Sequence, residues 1–457
     1  MDRSPNSSPA STDALSPRNR RAVAALMVAV LLATLDTAIA NTALPAIAAD
    51  LLAAPAASVW VINAYQLAMV ATILPLAALG DIVGHRRIYI GGLAVFTLAS
   101  LVCALATTLP TLAAARAFQG LGAAGIMSVN AALLRFIYPP HRLGRGVGLN
   151  ALVVGIGFAV GPSVASLILS VAPWPWLFGI NVPLGLAALA VAIPSLPASP
   201  RSTHSFDKIA AAFNVITFTA LILALGSAAQ REPMGWWLGA LAVALLFGFL
   251  LVRREHGRPS PILPVDLFRR PAFALSSITS ICTFAAQGLA FVSLHFYFEG
   301  VLHRSQVDTG FLMSPWSLVV ALAAPLAGRL ADRYPPGLLG GIGLAVLSVG
   351  MASLALLPAD PSVLDISIRM AICGAGFGFF QAPNLRAIMA AAPPERAGGA
   401  SGTIATSRLL GQATGAALTA LCFSLAGVHG AMDALWLGAA FAAVASVASG
   451  LRLIVAK

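Results

Sequence analysis

Ala22-Val-Ala-Ala-Leu-Met-Val-Ala-Val-Leu-Leu-Ala-Thr-Leu-Asp36-Thr-Ala-Ile-Ala-Asn41-Thr-Ala-Leu-Pro45 decides how the rest of the chain is read. The run is long enough to cross a hydrocarbon core of about 30 Å as a helix. One carboxylate, Asp36, interrupts it. Insertion scales charge roughly 2.5–3.5 kcal/mol for an Asp at the centre of such a helix, so its presence asks for a use. A structural acid bonded to a neighbouring helix is one reading. A site that handles protons or cations is the other, and it accounts better for the cost.

The rest of the chain has the same character. Of its 457 residues 59% are hydrophobic and only 9% charged, against about a quarter charged in a soluble domain. This is the composition of an all-α polytopic membrane protein embedded in a lipid bilayer. The formal charge of +11 does not point to nucleic acid, because the basic residues fall in short loops between apolar segments. Cys103, Cys282, Cys373 and Cys422 lie inside apolar segments without metal-ligand spacing, as packing residues do. No phosphate-binding loop or nucleophile elbow is present. That argues against an enzyme and against transport powered by ATP hydrolysis within this chain. No metal or cofactor is expected; a proton gradient is the expected energy source.

Residues 1–21, rich in Ser, Pro and Asn, read as a disordered terminus. The apolar run after them is too long for a signal-peptide core and is read as a retained helix. Thirteen more apolar segments follow, near residues 59–79, 88–108, 112–134, 146–171, 176–193, 209–227, 236–252, 273–296, 309–330, 338–357, 366–391, 400–425 and 431–451. Fourteen transmembrane helices are therefore expected. Twenty-two of the 27 Lys and Arg residues lie on one side of this arrangement. Arg231 and Arg304 lie on the other side, and Arg116, Arg369 and Arg408 fall within segments. The excess of positive charge places that side, with both termini, in the cytoplasm.

The chain also repeats. Ala77–Gly84 resembles Gly328–Pro335 at an offset of 251, taken at Asp81 and Asp332. Arg116 pairs loosely with Arg369 at 253, and Gly157-x-x-x-Gly161 with Gly411-x-x-x-Gly415 at 254. The near-constant offset predicts two six-helix bundles, residues 22–194 and 272–457, with an inserted helix pair in 195–271. Duplicated halves of this kind place a substrate site near the midplane and rock about it.

These residues resemble the major facilitator superfamily, and within it the fourteen-helix drug:proton antiporter branch. Leu35-Asp36-Thr37 through Leu44-Pro45 is similar to that branch's first-helix signature. Ala77–Arg87 resembles the superfamily's loop between helices 2 and 3, with Ala77 and Ile82 in place of its usual Gly and Arg. Arg116-x-x-Gln119-Gly120 resembles the helix 4 motif. Gly157-x-x-x-Gly161-Pro162 resembles the antiporter motif of helix 5, with Ala165-Ser166 where Gly-Gly normally closes it. Trp174–Gly185 also looks like this branch, with Pro175 where an Arg is common. The likeness spans about 22–451 and implies multidrug efflux by a proton-coupled antiporter in the inner, cytoplasmic membrane, functional as a monomer.

Each motif has its own physical rationale. Asp81 follows helix 2, Gly84 permits a tight turn, and Arg86 and Arg87 sit at the bilayer face. A carboxylate there can pair with an Arg or cap a neighbouring helix, favouring one state of a gate. A solvated loop charge is the plainer alternative. Arg116 needs a partner in the bilayer, and Asp36 is the acid well inside the first half. If they meet, the pair can exchange Arg contact for a proton; otherwise Arg116 snorkels to the edge. Gly157, Gly161 and Pro162 serve either as hinge and seal or as tight packing.

Asn41, Asn63, Tyr65, Gln66, Asn130, Phe291, His295, Gln381 and Asn384 are the candidate cavity liners. Together they describe a mostly apolar, amphiphile-sized site. His295 and Glu299 are candidates for a proton path. The expected function is proton-coupled export of lipophilic compounds. Monocations are expected to be preferred over dications, since one intramembrane carboxylate balances one charge. Transport of a defined metabolite or organic anion is the alternative, supported by Arg116 and Arg408. A non-transporting receptor or scaffold fits least well.

Overall fold

The computed structural model describes residues 15–455 apart from 54–57, 59, 200, 203–204, 230–232, 257–260 and 305. At a few helical positions, Asn41 and Pro162 among them, it describes the backbone alone. Fourteen helices of at least fifteen residues appear in the described residues: α1 (Pro17–Asp50), α2 (Trp60–Val83), α3 (His85–Ala104), α4 (Leu109–Ile137), α5 (Leu143–Val171), α6 (Asn181–Ser195), α7 (Lys208–Ala229), α8 (Met234–Glu255), α9 (Pro271–Phe296), α10 (Gln306–Ala331), α11 (Pro336–Ala355), α12 (Val363–Ala391), α13 (Ala397–Ala426) and α14 (Gly430–Val455). No strand occurs among the described residues.

Eleven spans are long and apolar enough to cross a membrane, by length and composition among the described residues. Shorter apolar stretches at Leu143–Gly157 and Lys208–Ala224 belong to α5 and α7. Helix α13 is not among the eleven found in the described residues, and its side chains at 420 and 424 lie outside them. Fourteen transmembrane segments are expected from the sequence; eleven spans among the described residues meet the membrane criterion.

Local sequence explains where the helices start. The Ser16 side chain accepts from the Asn19 amide at 3.2 Å and Pro17 occupies the first turn, so α1 begins at Pro17. The disordered terminus expected over 1–21 is therefore corrected: 17–21 are helical, and 1–14 lie outside the described residues. Thr108 caps α4 and Ser362 caps α12 through its bond to the Asp365 amide. These two caps sit 254 residues apart, the spacing of the repeat.

The packing repeats as well. In the first half α1 packs on α5 and α6, α4 on α2 and α3, and α3 on α6. Adding eight to each label gives the contacts of the second half: α9 on α13 and α14, α12 on α10 and α11, and α11 on α14. The halves meet along two seams, α5 with α10 and α2 with α13. The same operation exchanges one seam for the other, as a two-fold axis along the bundle requires.

Close approach follows the repeat too. A Cβ on Gly120 would lie 2.3 Å from the Tyr65 carbonyl oxygen of α2, and one on Gly374 would lie 2.4 Å from that of Trp316 on α10. Only glycine at these two positions lets helix pairs touch backbone to backbone.

Helices α7 and α8 pack on each other, and α7 lies against α2 and α13. Asn214 of α7 donates to the Ala71 carbonyl of α2 at 3.1 Å. The pair thus leans on one seam from outside both halves. If it is a membrane hairpin, reporters inserted beside Arg201 and near Glu232 report opposite sides of the membrane. Reporters on the same side would leave twelve helices and a surface-lying insert.

Candidate functional site

Five helices of the first half converge on Asp36. Its Oδ2 accepts from Arg116 Nη1 at 2.5 Å. Its Oδ1 accepts from Gln119 Nε2 at 2.8 Å and Asn181 Nδ2 at 2.9 Å. Arg116 and Gln119 stand one turn apart on α4 and so share a face. Arg116 Nε also donates to the Val61 carbonyl at 3.0 Å, and Nη1 donates to Gln119 Oε1 at 2.5 Å. Its guanidinium lies 4.3 Å from the Tyr65 ring centroid and 5.4 Å from that of Phe178. Gln119 Nε2 donates in addition to Ser100 Oγ on α3 at 2.9 Å.

The pair is walled in: Asp36 is 1% exposed and Arg116 0%. A buried ion pair holds only if its geometry is good and its remaining lone pairs and protons are satisfied. Here four donor contacts reach the two partners' shell, and two aromatic faces cover the cation.

At the end of the bundle that carries both termini, a pair of carboxylates joins the halves. Asp81, in the last turn of α2, accepts from the amides of Gly398 at 2.9 Å and Gly399 at 3.3 Å, in the first turn of α13. Asp332, just after α10, accepts from the Gly144 amide at 3.1 Å, in the first turn of α5. Each carboxylate thus meets unpaired amides at a helix N-terminus, where the helix field favours negative charge. Asp81 is held also by His85 Nε2 at 3.1 Å, and Asp332 by Arg386 Nη1 at 2.9 Å. Arg135 adds bonds from α4 to the carbonyls of Met389 and Ala392, at 2.8 and 2.9 Å.

Between the halves lie two cavities of about 70 and 40 Å³ that share Val154, Phe284, Gln381 and Arg408. The first is lined further by Asn130, Asn150, Ser280, Asn384 and Ser401. The second is lined by Gln287, Phe291, Trp316, Phe377 and Gln412. Neither has a carboxylate in its wall. Their one charged residue is Arg408.

The expected residues sort as follows. Asp36 meets Arg116, as the sequence anticipates. Asp81 caps a helix of the other half rather than pairing with an Arg. Gly84 makes the turn, at φ +103°. Arg86 donates to the Ile193 carbonyl in the last turn of α6, away from Asp81. Gly157 and Gly161 press α5 onto α1: added Cβ atoms would meet Thr34 at 3.1 Å and Ala38 at 2.4 Å, the residues flanking Asp36 by two. They pack the first half rather than the seams between halves. The side chains of Pro162 and Asn41 lie outside the described residues.

Asn130, Phe291, Gln381 and Asn384 line the cavities. Tyr65, Asn63, Gln66 and His295 line neither of these two cavities. Tyr65 is 1% exposed and lies against Arg116, its hydroxyl 3.5 Å from the Ala33 carbonyl. Its charge environment includes Asp36, Arg116 and Arg408. Asn63 is half-buried and Gln66 exposed, and neither lines a described cavity, since residues one and two positions from Tyr65 stand on other faces of α2. His295 is exposed and tied to the Phe291 carbonyl of its own helix at 2.7 Å; Glu299 follows on the outer turn. Neither bonds to Asp36. Ser100, Asn150, Asn181, Ser401 and Trp316 were not anticipated as site residues. Isolated polar residues in apolar runs are the feature that could have found the first four.

A family model described as Major Facilitator Superfamily matches residues 26–416. An uncharacterized transporter of Escherichia coli, YebQ, is 49% identical over 96% of both chains. The riboflavin transporter RibZ of Clostridioides difficile is 31% identical over 87% of both. The multidrug resistance protein Stp of Mycobacterium tuberculosis is 30% identical over 89% of this chain and 74% of its own. Among solved structures, the human organic anion transporter MFSD10 superposes with a TM-score of 0.70 at 16% identity, over 97% of this chain and all of that one. At that identity the likeness bears on fold alone.

Proposed function

This chain belongs to the major facilitator superfamily, and from that premise we propose that it is a proton-coupled antiporter that exports amphiphilic small molecules across the cytoplasmic membrane by alternating access. The observation that carries the reading is the enclosed Asp36–Arg116 pair. Deprotonated, Asp36 balances the guanidinium. Protonated, it releases that charge, yet Arg116 keeps the Val61 carbonyl, Gln119 Oε1 and the Tyr65 ring. The proton therefore rearranges contacts among five helices, while neutral acceptors and an aromatic face still hold the cation. Two arrangements of one packed element are what coupling requires.

The helix caps at Asp81 and Asp332 hold the terminus-bearing end shut. The arginine excess assigns that end to the cytoplasm, so these caps close the cytoplasmic side in the conformation described. Tyr65 covers Arg116 at 4.3 Å from its ring centroid.

Drug export accords with the relative named as a multidrug resistance protein, while the relative named for riboflavin widens the range of ligands to consider. The expected preference for monocations relied on Asp36, which lines neither described cavity. Amphiphilic character rather than positive charge is the reading kept. In everted membrane vesicles carrying the protein, an imposed pH gradient drives accumulation of a lipophilic fluorescent dye, and collapsing the gradient abolishes it. Equal accumulation with and without the gradient would remove proton coupling.

A further inference from the structure

We propose that the cavity between the halves is built for an aromatic organic acid, its anionic group held by Arg408. This rests on the reading of these cavities as the transport site and names the chemical class of the substrate.

Charge balance is the first ground. Among the described residues, Arg408 has no carboxylate partner and no hydrogen-bond acceptor, although it stands in the wall shared by both cavities. The first half's buried arginine, Arg116, is neutralised by Asp36. The second half has no such compensation. Arg452, 4% exposed, is held only by neutral groups: it donates to Ser276 Oγ at 3.0 Å, to Asn384 Oδ1 at 2.7 Å, and to Ser449. Asn384 is itself a cavity-wall residue. Arg408 in the wall, and Arg452 behind it in the last turn of α14, are both without a counter-ion and make the cavity electropositive. An unpaired charge there is costly, and an incoming anion is the group that relieves it. A guanidinium binds a carboxylate with two parallel donors, the strongest pairing of this kind.

The lining supplies the rest of the ligand. Phe284, Phe377 and Phe380 form one continuous cluster with centroids 5.6–6.2 Å apart, and Trp316 joins it at 6.3 Å from Phe377. Phe291 stands edge-on to Trp316 at 5.3 Å. Flat rings stack well on such a wall. Three nearly enclosed wall residues also have polar atoms without partners: Asn130 Oδ1, Ser401 Oγ and Trp316 Nε1. Buried polar atoms are normally paired, so these offer one acceptor, one hydroxyl and one N–H to a ligand bearing hydroxyl or carbonyl groups.

The test uses the purified protein in lipid nanodiscs and three probes of one shape: 2-naphthoate, neutral 2-naphthamide and (2-naphthylmethyl)trimethylammonium. Affinities are measured by calorimetry, without any proton gradient. Naphthoate is expected to bind at least about tenfold more tightly than naphthamide, the scale of one charged hydrogen-bonded contact, and the ammonium most weakly. Arg408→Gln removes the naphthoate advantage over naphthamide; Arg408→Lys keeps part of it. Absence of naphthoate binding, equal or tighter binding of the ammonium to the unmodified protein, or a naphthoate affinity indifferent to Arg408→Gln would each overturn the assignment. The first two need no variant to fold. Proton coupling fails separately: a naphthoate preference in a protein without gradient-driven transport would keep the assignment and end the antiport reading.

Discussion

Asp36→Asn yields a protein that inserts, folds and binds ligand but shows no gradient-driven transport above the level of empty vesicles. The amide has the carboxylate's shape, so packing in the first half is kept. The variant cannot gain or lose a proton, and that is the step on which coupling depends. It also removes the counter-charge of a buried guanidinium, a change that costs about 3–5 kcal/mol when nothing else compensates. Here the Val61 carbonyl, Gln119 Oε1 and two rings remain on Arg116, so a loss of roughly 1–3 kcal/mol, the scale of charged hydrogen bonds, is expected in thermal melts. Adding Arg116→Gln removes the stranded charge. The double variant therefore melts above Asp36→Asn alone yet still fails to pump. Separation of the two readouts distinguishes coupling from mere stability. Normal pH-dependent transport by Asp36→Asn would refute the role of Asp36.

The Asp36–Arg116 meeting was legible because charge in an apolar run is rare and expensive; an acid and a base in one half have few other places to go. The halves were legible through the offset near 254, which persists in the caps at Thr108 and Ser362 and in the close approaches at Gly120 and Gly374. The direction in which a helix faces was less so. Tyr65 and Gln66 are adjacent in sequence, yet one is buried under Arg116 and the other exposed. Periodicity in a helix that is apolar all round carries little information about its inward side. Asn181 and Ser100 were missed for a related reason: their role comes from helices far apart in the chain converging on one carboxylate. Helix α13 shows the opposite effect. Its dilution with Gly, Ser, Thr and Arg408 lowers its apolar character while fitting it to line a cavity and take up the α2 seam.

Gly328→Val prevents closure of the terminus-bearing end and cuts transport at least tenfold, while the halves stay folded. A Cβ on Gly328 would lie 2.3 Å from the carbonyl oxygen of Gly144, and a Cβ on Gly144 would lie 2.3 Å from that of Gly328. The obstructing atoms are backbone at the start of α5 and the end of α10, so no side-chain rotation relieves the clash. Overpacking of this kind costs typically about 1–3 kcal/mol and sometimes more. The cost falls on the closed arrangement, because the contact joins the two halves rather than helices within one. Separating these ends also withdraws the Gly144 amide from Asp332, so the variant loses a cap as it gains a clash. A bias of 1.4 kcal/mol already shifts a two-state balance tenfold. The population change can be read with a single cysteine placed by Asn150→Cys in the cavity wall, after the four native cysteines are replaced by serine. An impermeant thiol reagent supplied from the terminus-bearing side should label this cysteine faster in Gly328→Val, and Gly328→Ala should fall between the two. Gly91→Val is the control, since a Cβ there meets nothing within 4 Å. Unchanged labelling and unchanged transport in Gly328→Val would mean that the α5–α10 seam does not open during the cycle.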